Sequence, residues 1–474
     1  MQVMEKYINK NIFREYDIRG IADIDLTDDV VYLIGKAFAY YLNRNNHKQL
    51  SISGDVRNTT NRIKKSFING AISEGIDVFD MGVLPTPVNY FSLYNTGVPN
   101  SVQVTGSHNP AEYNGLKISF DKKPFYGKLI LELREIIEKK IDCNQEILQY
   151  PKKKGRIYQR NILDKYYQYI CENFKIKNNI NIVMDCGNAV GGIIAPKIYK
   201  SVGINIYELY CDVDPSFPNH HPDPTVDSNL EDIVKVMKNG KYDLGIAFDG
   251  DADRIVVIDE HGNIIRPDIL LALFLPAIIN KNDSVVYDVK CSKALEDTVN
   301  SLDANPIMWK TGHSLIKNKM IESKSKIGGE MSGHIFFADK YFGYDDGIYV
   351  GLRLIELLST SKKKLSELVS EIPKYISTPE IRIECKSDEE KFQITKKATE
   401  YFVNKYDCNT TDGVRINYSH GWGLIRSSNT QPVIVCRFES DSFENVEKIK
   451  NEIFSKLSEF GDVCINGEWK FWYI

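Results

Sequence analysis

Three stretches of the chain repeat one rhythm: strand, turn, helix, strand. The first runs from L-S-I-S-G-D (50–55) through a helical segment near R-I-K-K-S-F-I-N-G-A-I to I-D-V-F-D-M-G. The second runs from I-N-I-V-M-D-C-G-N-A-V-G-G (180–192) to I-N-I-Y-E-L-Y. The third runs from S-V-V-Y-D-V-K-C-S (284–292) to P-I-M-W-K. Strands that alternate with helices form α/β units with largely parallel pairing. Three such units predict three similar domains, although no plain sequence identity joins them. The tail differs. Strand-like I-R-I-E-C and P-V-I-V-C-R-F flank a Gly-rich loop, and Val446, Ile449, Ile453, Leu457 and Phe460 follow at helical spacing. It reads as a smaller α+β domain. P-K-K-K-G (151–155) and I-S-T-P-E (376–380) read as linkers.

The 474 residues are too many for one core. At 42% hydrophobic and 26% charged, the composition is that of a soluble globular protein. A net charge of -4 gives no reason to expect a nucleic-acid partner. The opening residues are too polar for a secretory signal. The longest apolar run, 269–279, holds Pro276 and is far short of the roughly 20 residues that span a bilayer, so a buried helix is expected. Nine cysteines with no C-x-x-C pair argue against a disulfide framework or a zinc site. A cytoplasmic setting and no membrane partner are expected.

Four short segments carry possible chemistry. V-T-G-S-H-N-P (104–110) places Ser107 between Gly106 and His108. Asn109 replaces the second glycine of a hydrolase elbow, so an esterase nucleophile loses its support. A turn remains open. So does a phosphate-carrying hydroxyl with His108 and Lys117 for company. F-D-G-D-A-D-R places Asp249, Asp251 and Asp253 two residues apart between apolar strands. Carboxylates so close repel unless a cation sits among them, and hard oxygen ligands suit Mg²⁺ or Ca²⁺. Glu260 would complete an EF-hand spacing, but Arg254 stands where that loop needs Gly and the flanks read as strands. A solvated acidic turn is the other reading. G-G-E-M-S-G-H (328–334) alternates Glu330, Ser332 and His334, which an extended segment would put on one face toward sugar hydroxyls. A polar loop explains it equally. G-W-G-L-I-R-S-S-N-T-Q-P (421–432) gathers Arg426, Ser427, Ser428, Asn429 and Thr430, a phosphate cradle by composition, or a plain loop. There is no P-loop or dinucleotide fingerprint.

Together with F-R-E-Y-D-I-R-G (13–20), these segments resemble the signatures of the α-D-phosphohexomutases. The bacterial phosphomannomutase/phosphoglucomutase group is the nearest, and the resemblance keeps the motif order along the whole chain. It implies three related α/β domains with mixed sheets and a smaller C-terminal α+β domain around a central active-site cleft. The expected division is 1–151 with a phosphoserine loop, 152–258 with a metal loop, 259–370 with a sugar loop and 371–474 with a phosphate loop. By resemblance, Ser107 is a phosphoserine whose phosphate meets one Mg²⁺ held by Asp249, Asp251 and Asp253. Phosphate then moves between C6 and C1 of a hexose through a 1,6-bisphosphate. Arg19 and Lys117 neighbour the transferred group, Lys117 and His313 are candidates for proton transfer, and Arg254 moderates the acidic cluster. Tyr16, Lys290 and His313 line the sugar site with Glu330, Met331, Ser332, Gly333 and His334. Arg426 to Thr430 grip the other phosphate. Small hexose phosphates are the expected partners, and a monomer is expected. Met331 and P-N-H-H-P-D-P (218–224) resemble the mannose/glucose enzymes. A phosphoglucosamine mutase, a serine-phosphorylated sugar phosphatase and a non-catalytic phosphosugar-binding protein are the rival readings.

Overall fold

The computed structural model describes residues 8–142, 153–176, 179–428, 432–461, 463 and 472–473. The chain divides into two compact units. One holds residues 1–264, 333–336 and 340–365, and the other holds 265–332, 337–339 and 366–474.

The first unit contains two sheets. β1 (Ile18–Ile21), β2 (Gln49–Gly54), β3 (Asp77–Val83), β4 (Ser101–Val104), β5 (Tyr113–Phe120), β6 (Lys123–Pro124) and β7 (Ile157–Gln159) form one of them, ordered β1-β5-β4-β2-β3-β7 with β6 on β5. β2 runs parallel to β3 and β4, whereas β5 is antiparallel to β1 and β4. The sheet is therefore mixed, as expected. β7 extends it past residue 151 by pairing with β3. β4 is buried at every position, which is why its four residues read as no clear alternation. The helices Asp28–Arg44 and Thr60–Ser73 cover the sheet, and Ile18, Phe38, Ile52, Phe67, Val102 and Leu116 fill the core between them. Thr27 caps the first of these helices, with Asp28 and Asp29 in its first turn to match the helix dipole.

The second sheet comprises β8 (Asn181–Asp185), β9 (Asn205–Leu209), β10 (Leu244–Phe248), β11 (Ile255–Asp259) and the short β12 (Ile264–Ile265), ordered β12-β11-β10-β8-β9. β8 is parallel to β9 and β10, while β10 and β11 form an antiparallel pair.

In the second unit, the apolar run 269–279 forms the helix Pro267–Ile278, buried along nearly its whole length. β13 (Ser284–Asp288) lies between β14 (Asn305–Trp309) and β15 (Ile327–Gly329), and all three are parallel. β16 (Ile335–Phe337) lies where the chain passes between the units. The tail is a largely antiparallel sheet of β17 (Ile376–Ser377), β18 (Ile381–Glu384), β19 (Asp407–Asn409), β20 (Val414–Tyr418), β21 (Gly421–Ser427), β22 (Val433–Ser440) and β23 (Trp472–Tyr473). The helices Asp388–Val403 and Phe443–Phe460 cover it. The helical spacing of 446–457 is confirmed: Val446, Ile449, Ile453 and Leu457 are buried. The linker reading of 376–380 fails. Ile376 and Ser377 pair with β22, and Ser377 and Thr378 are buried. Among the described residues no helix is long and apolar enough to cross a membrane, and the described cysteines are unpaired thiols.

Candidate active site

Ligands of open α/β sheets meet the carboxyl ends of the strands, where chain leaves the sheet and polar groups become free. In the first unit, β2 and β4 are in register at Gly54 and Val104, so the two exits lie side by side. Asp55 leaves β2, and Thr105, Gly106 and Ser107 leave β4. One Asp55 oxygen accepts from the Thr105 hydroxyl at 2.7 Å and the Gly106 N–H at 3.2 Å. The other accepts from the Thr60 hydroxyl at 2.5 Å. Ser107 is held at φ 49°, a left-handed conformation that few side chains adopt.

The metal-loop residues leave β10 in the same unit. Strands flank the loop on both sides, which removes the EF-hand reading. Asp249, Asp251 and Asp253 are fully buried, and one oxygen from each lies within 4.8 Å of the others. Ser107 Oγ donates to Asp249 Oδ2 at 2.9 Å. Gly250 lets the loops touch, since a Cβ there would sit 2.3 Å from the Ser107 carbonyl oxygen. Lys117 Nζ donates to Asp251 Oδ2 at 2.6 Å and Asp253 Oδ2 at 2.5 Å. Thr86 Oγ1 donates to Asp251 at 2.5 Å.

Burial and its two carboxylate neighbours hold Asp249 well above the usual carboxylate range, and burial with Asp251 and Asp345 raises Asp253. For Asp251 burial pushes up but is outweighed by Lys117 and the Thr86 and Ser107 hydroxyls, leaving a strong acid. Burial of Lys117 is likewise outweighed by Asp251, Asp253 and Asp249, so its ammonium holds its proton firmly. Its two carboxylate contacts fix the ammonium beside the triad.

Asp251 Oδ1 and Asp253 Oδ1 are buried with no hydrogen-bond donor among the described residues. Such oxygens are costly in a protein interior. Three carboxylates against Lys117 and Arg254 leave a negative excess lined by hard oxygens, a donor set that fits a divalent cation such as Mg²⁺.

Three further residues from the sequence reading join this cluster. His108 Nδ1 lies 3.3 Å from Ser107 Oγ. Burial, with Arg254, Arg19 and Lys117 nearby, pushes its imidazole well below the usual range, so it is neutral near pH 7. Arg19 Nη1 donates to Asn109 Oδ1 at 2.9 Å, and Nη2 pairs with Asp17. Arg254 donates through its backbone N–H to Asp249 Oδ1 at 3.1 Å and through Nε to His334 Nε2 at 2.9 Å. Tyr16 is half-buried in the bend before β1.

His334 corrects the sugar-loop expectation. It does not share a face with Glu330 and Ser332. The segment leaves the sheet after Gly329, and Gly333 at φ 101° breaks the extended alternation. The buried His334 ring instead lies 2.9 Å from Asp345 Oδ2 and 3.6 Å from Asp253 Oδ1.

In the second unit, β13, β14 and β15 end on one edge because they are parallel and in register. Lys290 follows β13, His313 opens the helix His313–Ser323 after β14, and Glu330 follows β15. Ser332 Oγ donates to Glu330 Oε2 at 2.9 Å, while the Gly312 N–H donates to Oε1. Met331 is held through its N–H to Asp288 Oδ1 at 3.2 Å. Lys290 Nζ donates to Glu380 Oε2 at 3.2 Å. Burial would raise Glu380, but Lys290, Arg382 and Arg426 outweigh it and hold it at about 2. Asp412 Oδ2 accepts from Arg426 Nε at 3.0 Å and the Thr311 N–H at 3.1 Å.

Ser427 is a second correction. Its hydroxyl bonds Thr395 Oγ1 at 2.9 Å on the covering helix, because alternation along β21 points it away from Arg426. Ser428 is buried one residue on. Asn429 and Thr430 lie outside the described residues. The sequence reading missed Asp55, Arg57, Thr86, Asp288, Asp345, Glu380 and Asp412. A polar residue just past an apolar strand, as in S-I-S-G-D or V-V-Y-D, was the available signal for Asp55 and Asp288.

The chain matches all four domain descriptions of one family: phosphoglucomutase/phosphomannomutase alpha/beta/alpha domain I over residues 10–145, domain II over 164–262, domain III over 266–375 and the C-terminal domain over 380–456. It belongs to the phosphoglucomutase/phosphomannomutase family. The enzyme is thus a phosphohexomutase, an isomerase that moves phosphate within a hexose phosphate. A phosphomannomutase/phosphoglucomutase of Pseudomonas aeruginosa is 40% identical, covering 94% of this chain and 95% of that protein. A phosphoglucomutase of Neisseria meningitidis is also 40% identical, over 94% and 96%. The crystal structure of a phosphoglucomutase/phosphomannomutase family protein from Burkholderia thailandensis superposes with a TM-score of 0.88 at 35% identity, covering 96% and 99%.

Proposed function

We propose that the enzyme interconverts the 6-phosphate and 1-phosphate of mannose or glucose, with Ser107 as the phosphoryl carrier. The observation that carries this reading is the Ser107 hydroxyl, 2.9 Å from Asp249 in a buried carboxylate triad with oxygens to spare. The names of the relatives support the two sugars.

In each half-reaction one phosphoryl group and one proton exchange places between Ser107 Oγ and a sugar oxygen. First the Oγ–P bond breaks as the sugar hydroxyl oxygen bonds phosphorus, and the hydroxyl proton ends on Ser107. The bisphosphate then presents its other phosphate. Ser107 Oγ bonds that phosphorus, and its proton ends on the departing sugar oxygen. The neutral imidazole of His108, 3.3 Å from Oγ, can take and return this proton. Lys117, Arg19 and Arg254 stand as fixed positive charges around a group whose transfer depends on positioning and neutralisation. A Mg²⁺ ion bound by Asp249, Asp251 and Asp253 would supply further neutralisation of the phosphoryl oxygens. Glu330 and Ser332 take sugar hydroxyls, Lys290, His313 and Tyr16 line the sugar, and Arg426 with Ser428 takes the phosphate that is not transferred.

The test uses intact mass and phosphorus NMR. Wild type treated with glucose 1,6-bisphosphate should carry one phosphate at Ser107, and Ser107→Ala should carry none there and lose most turnover. Mannose 1-phosphate and glucose 1-phosphate should each be converted with phosphate conserved in the sugar. A fully active Ser107→Ala enzyme would end the reading. Release of inorganic phosphate would make it a phosphatase, and a strong preference for glucosamine 1-phosphate would move it to the glucosamine mutases.

A further inference from the structure

The loop that carries Ser107 presents four consecutive carbonyls, those of residues 107 to 110; that of Pro110 also accepts the Tyr113 N–H at 3.0 Å. Each is taken by a side chain from elsewhere in the first unit. Arg57 Nη2 donates to the carbonyl of Ser107 at 2.7 Å and to that of Asn109 at 2.6 Å. Its Nη1 donates to Pro110 at 2.6 Å and to Tyr113 at 3.0 Å. The remaining carbonyl, that of His108, accepts from His221 Nε2.

These two donors are themselves built in. Arg57 is 3% exposed, and its Nε lies 3.3 Å from Asp55 Oδ2. The ring of Phe217 lies beneath its guanidinium at 5.5 Å. Asp55 in turn holds the donor side of the same loop through Thr105 and Gly106. The P-N-H-H-P-D-P segment holds His221 in place. The His220 ring pairs with Asp185 at 3.0 Å, and the Pro222 carbonyl accepts the N–H of Gly250 at 3.0 Å. The segment therefore contacts the serine loop and the metal loop at once. Space is fixed as well, since a Cβ on Gly106 would meet the guanidinium at 2.6 Å.

We propose that Arg57 and His221 are positioning residues for phosphoryl transfer: together they grip carbonyls 107 to 110, hold Ser107 in its left-handed conformation and aim its Oγ. The proposal rests on Ser107 being the phosphoryl carrier. A left-handed serine is disfavoured on its own, so the loop needs an outside grip to keep it. The grip acts on backbone carbonyls, so a charge change on the Ser107 side chain leaves it in place. Arginine suits the task because one rigid fork reaches several acceptors, whereas lysine offers a single point. Neither residue is assigned a contact with the sugar, so their loss is felt in kcat rather than in KM.

The experiment compares wild type, Arg57→Lys and His221→Ala, each treated with glucose 1,6-bisphosphate and checked by intact mass for phosphate at Ser107. Steady-state kcat and KM are measured with glucose 1-phosphate, and hydrogen exchange is followed across the chain. Arg57→Lys should lower kcat about 100-fold, the scale of a reacting atom misplaced by about 1 Å. His221→Ala, at a half-buried site that tolerates truncation, should lower it roughly 5–10-fold for one lost hydrogen bond. KM should stay within about 3-fold in both, and faster exchange should be confined to peptides covering 105–113. Wild type without phosphate at Ser107 would overturn the carrier reading itself. Phosphorylated wild type beside variants of unchanged kcat would overturn only the positioning role. So would faster exchange throughout the unit, or failure of both variants to fold, since either would make the residues requirements of folding.

Discussion

Lys117 illustrates how one residue balances a site. Its ammonium lies between Asp251 and Asp253 at 2.6 and 2.5 Å, with all three groups buried. Breaking a buried pair from one side leaves an uncompensated charge, which costs about 3–5 kcal/mol. Lys117→Met is therefore expected to destabilise the protein by about that amount without divalent cation. Added Mg²⁺ should restore more melting temperature to this variant than to wild type, because the triad then has more charge to neutralise. Equal Mg²⁺ responses in thermal melts would contradict the cation site. The chemistry of this cluster was legible in the sequence for a simple reason. Ser107 and the three aspartates are reactive residue types crowded into short spans, and crowding is visible without a fold. Arg57 and Glu380 were not legible. The partners that give them their place, the Ser107 carbonyl for Arg57 and Lys290 for Glu380, are far away along the chain, and a single charge among 26% charged residues carries no signal.

Elements meet in this fold at places where side chains are absent. The helices Asp28–Arg44 and Thr60–Ser73 cross so closely that a Cβ on Gly35 would sit 2.2 Å from the Phe67 carbonyl oxygen. One on Gly70 would sit 2.1 Å from the Tyr32 carbonyl oxygen. These neighbours are backbone and cannot swing aside. In an exposed helix, Gly→Ala would stabilise by about 1 kcal/mol. Gly70→Ala is expected to do the opposite here, lowering stability by roughly 2 kcal/mol, as overpacking a tight contact does. Urea unfolding measures it, and a stabilised variant would show that the helices can separate at little cost. The glycine in I-N-G-A-I was visible in the sequence, but only the crossing explains it. Strand alternation had a similar limit. It correctly separates buried from exposed faces where a strand continues. It misplaced His334 because Gly333 turns the chain, and it would have excluded Ser427 from the phosphate loop had β21 been read as reaching that far.

At the scale of the whole chain, the first unit is completed by a return. After leaving at Ile264, the chain comes back with 333–336 and 340–365, and Asp346 fastens the returning segment. One Asp346 oxygen caps the helix Gly347–Thr360 through the Tyr349 N–H at 2.9 Å. The other accepts from Tyr166 at 2.9 Å and Tyr341 at 2.8 Å. Tyr166 belongs to the helix Leu163–Asn173, so a single carboxyl joins residues 180 positions apart. Burial raises this carboxyl to about 6; the Tyr349, Tyr341 and Tyr166 donors pull the other way without cancelling it. In the unfolded chain an aspartate titrates near its ordinary value of 3.8. Between those values the folded state binds the extra proton, so stability must fall as pH rises. The contribution is full below the unfolded value and lost as pH passes through about 6. From about pH 5 to about pH 7 the loss is about 1 kcal/mol. Asp346→Asn keeps an oxygen for the cap and cannot titrate. The stability difference between wild type and this variant should therefore move in the variant's favour by about 1 kcal/mol over that interval. Chemical unfolding of both proteins across the range measures it. A difference that stays constant with pH would mean that the carboxyl remains ionised in the fold, with its three hydroxyl and amide donors outweighing its burial.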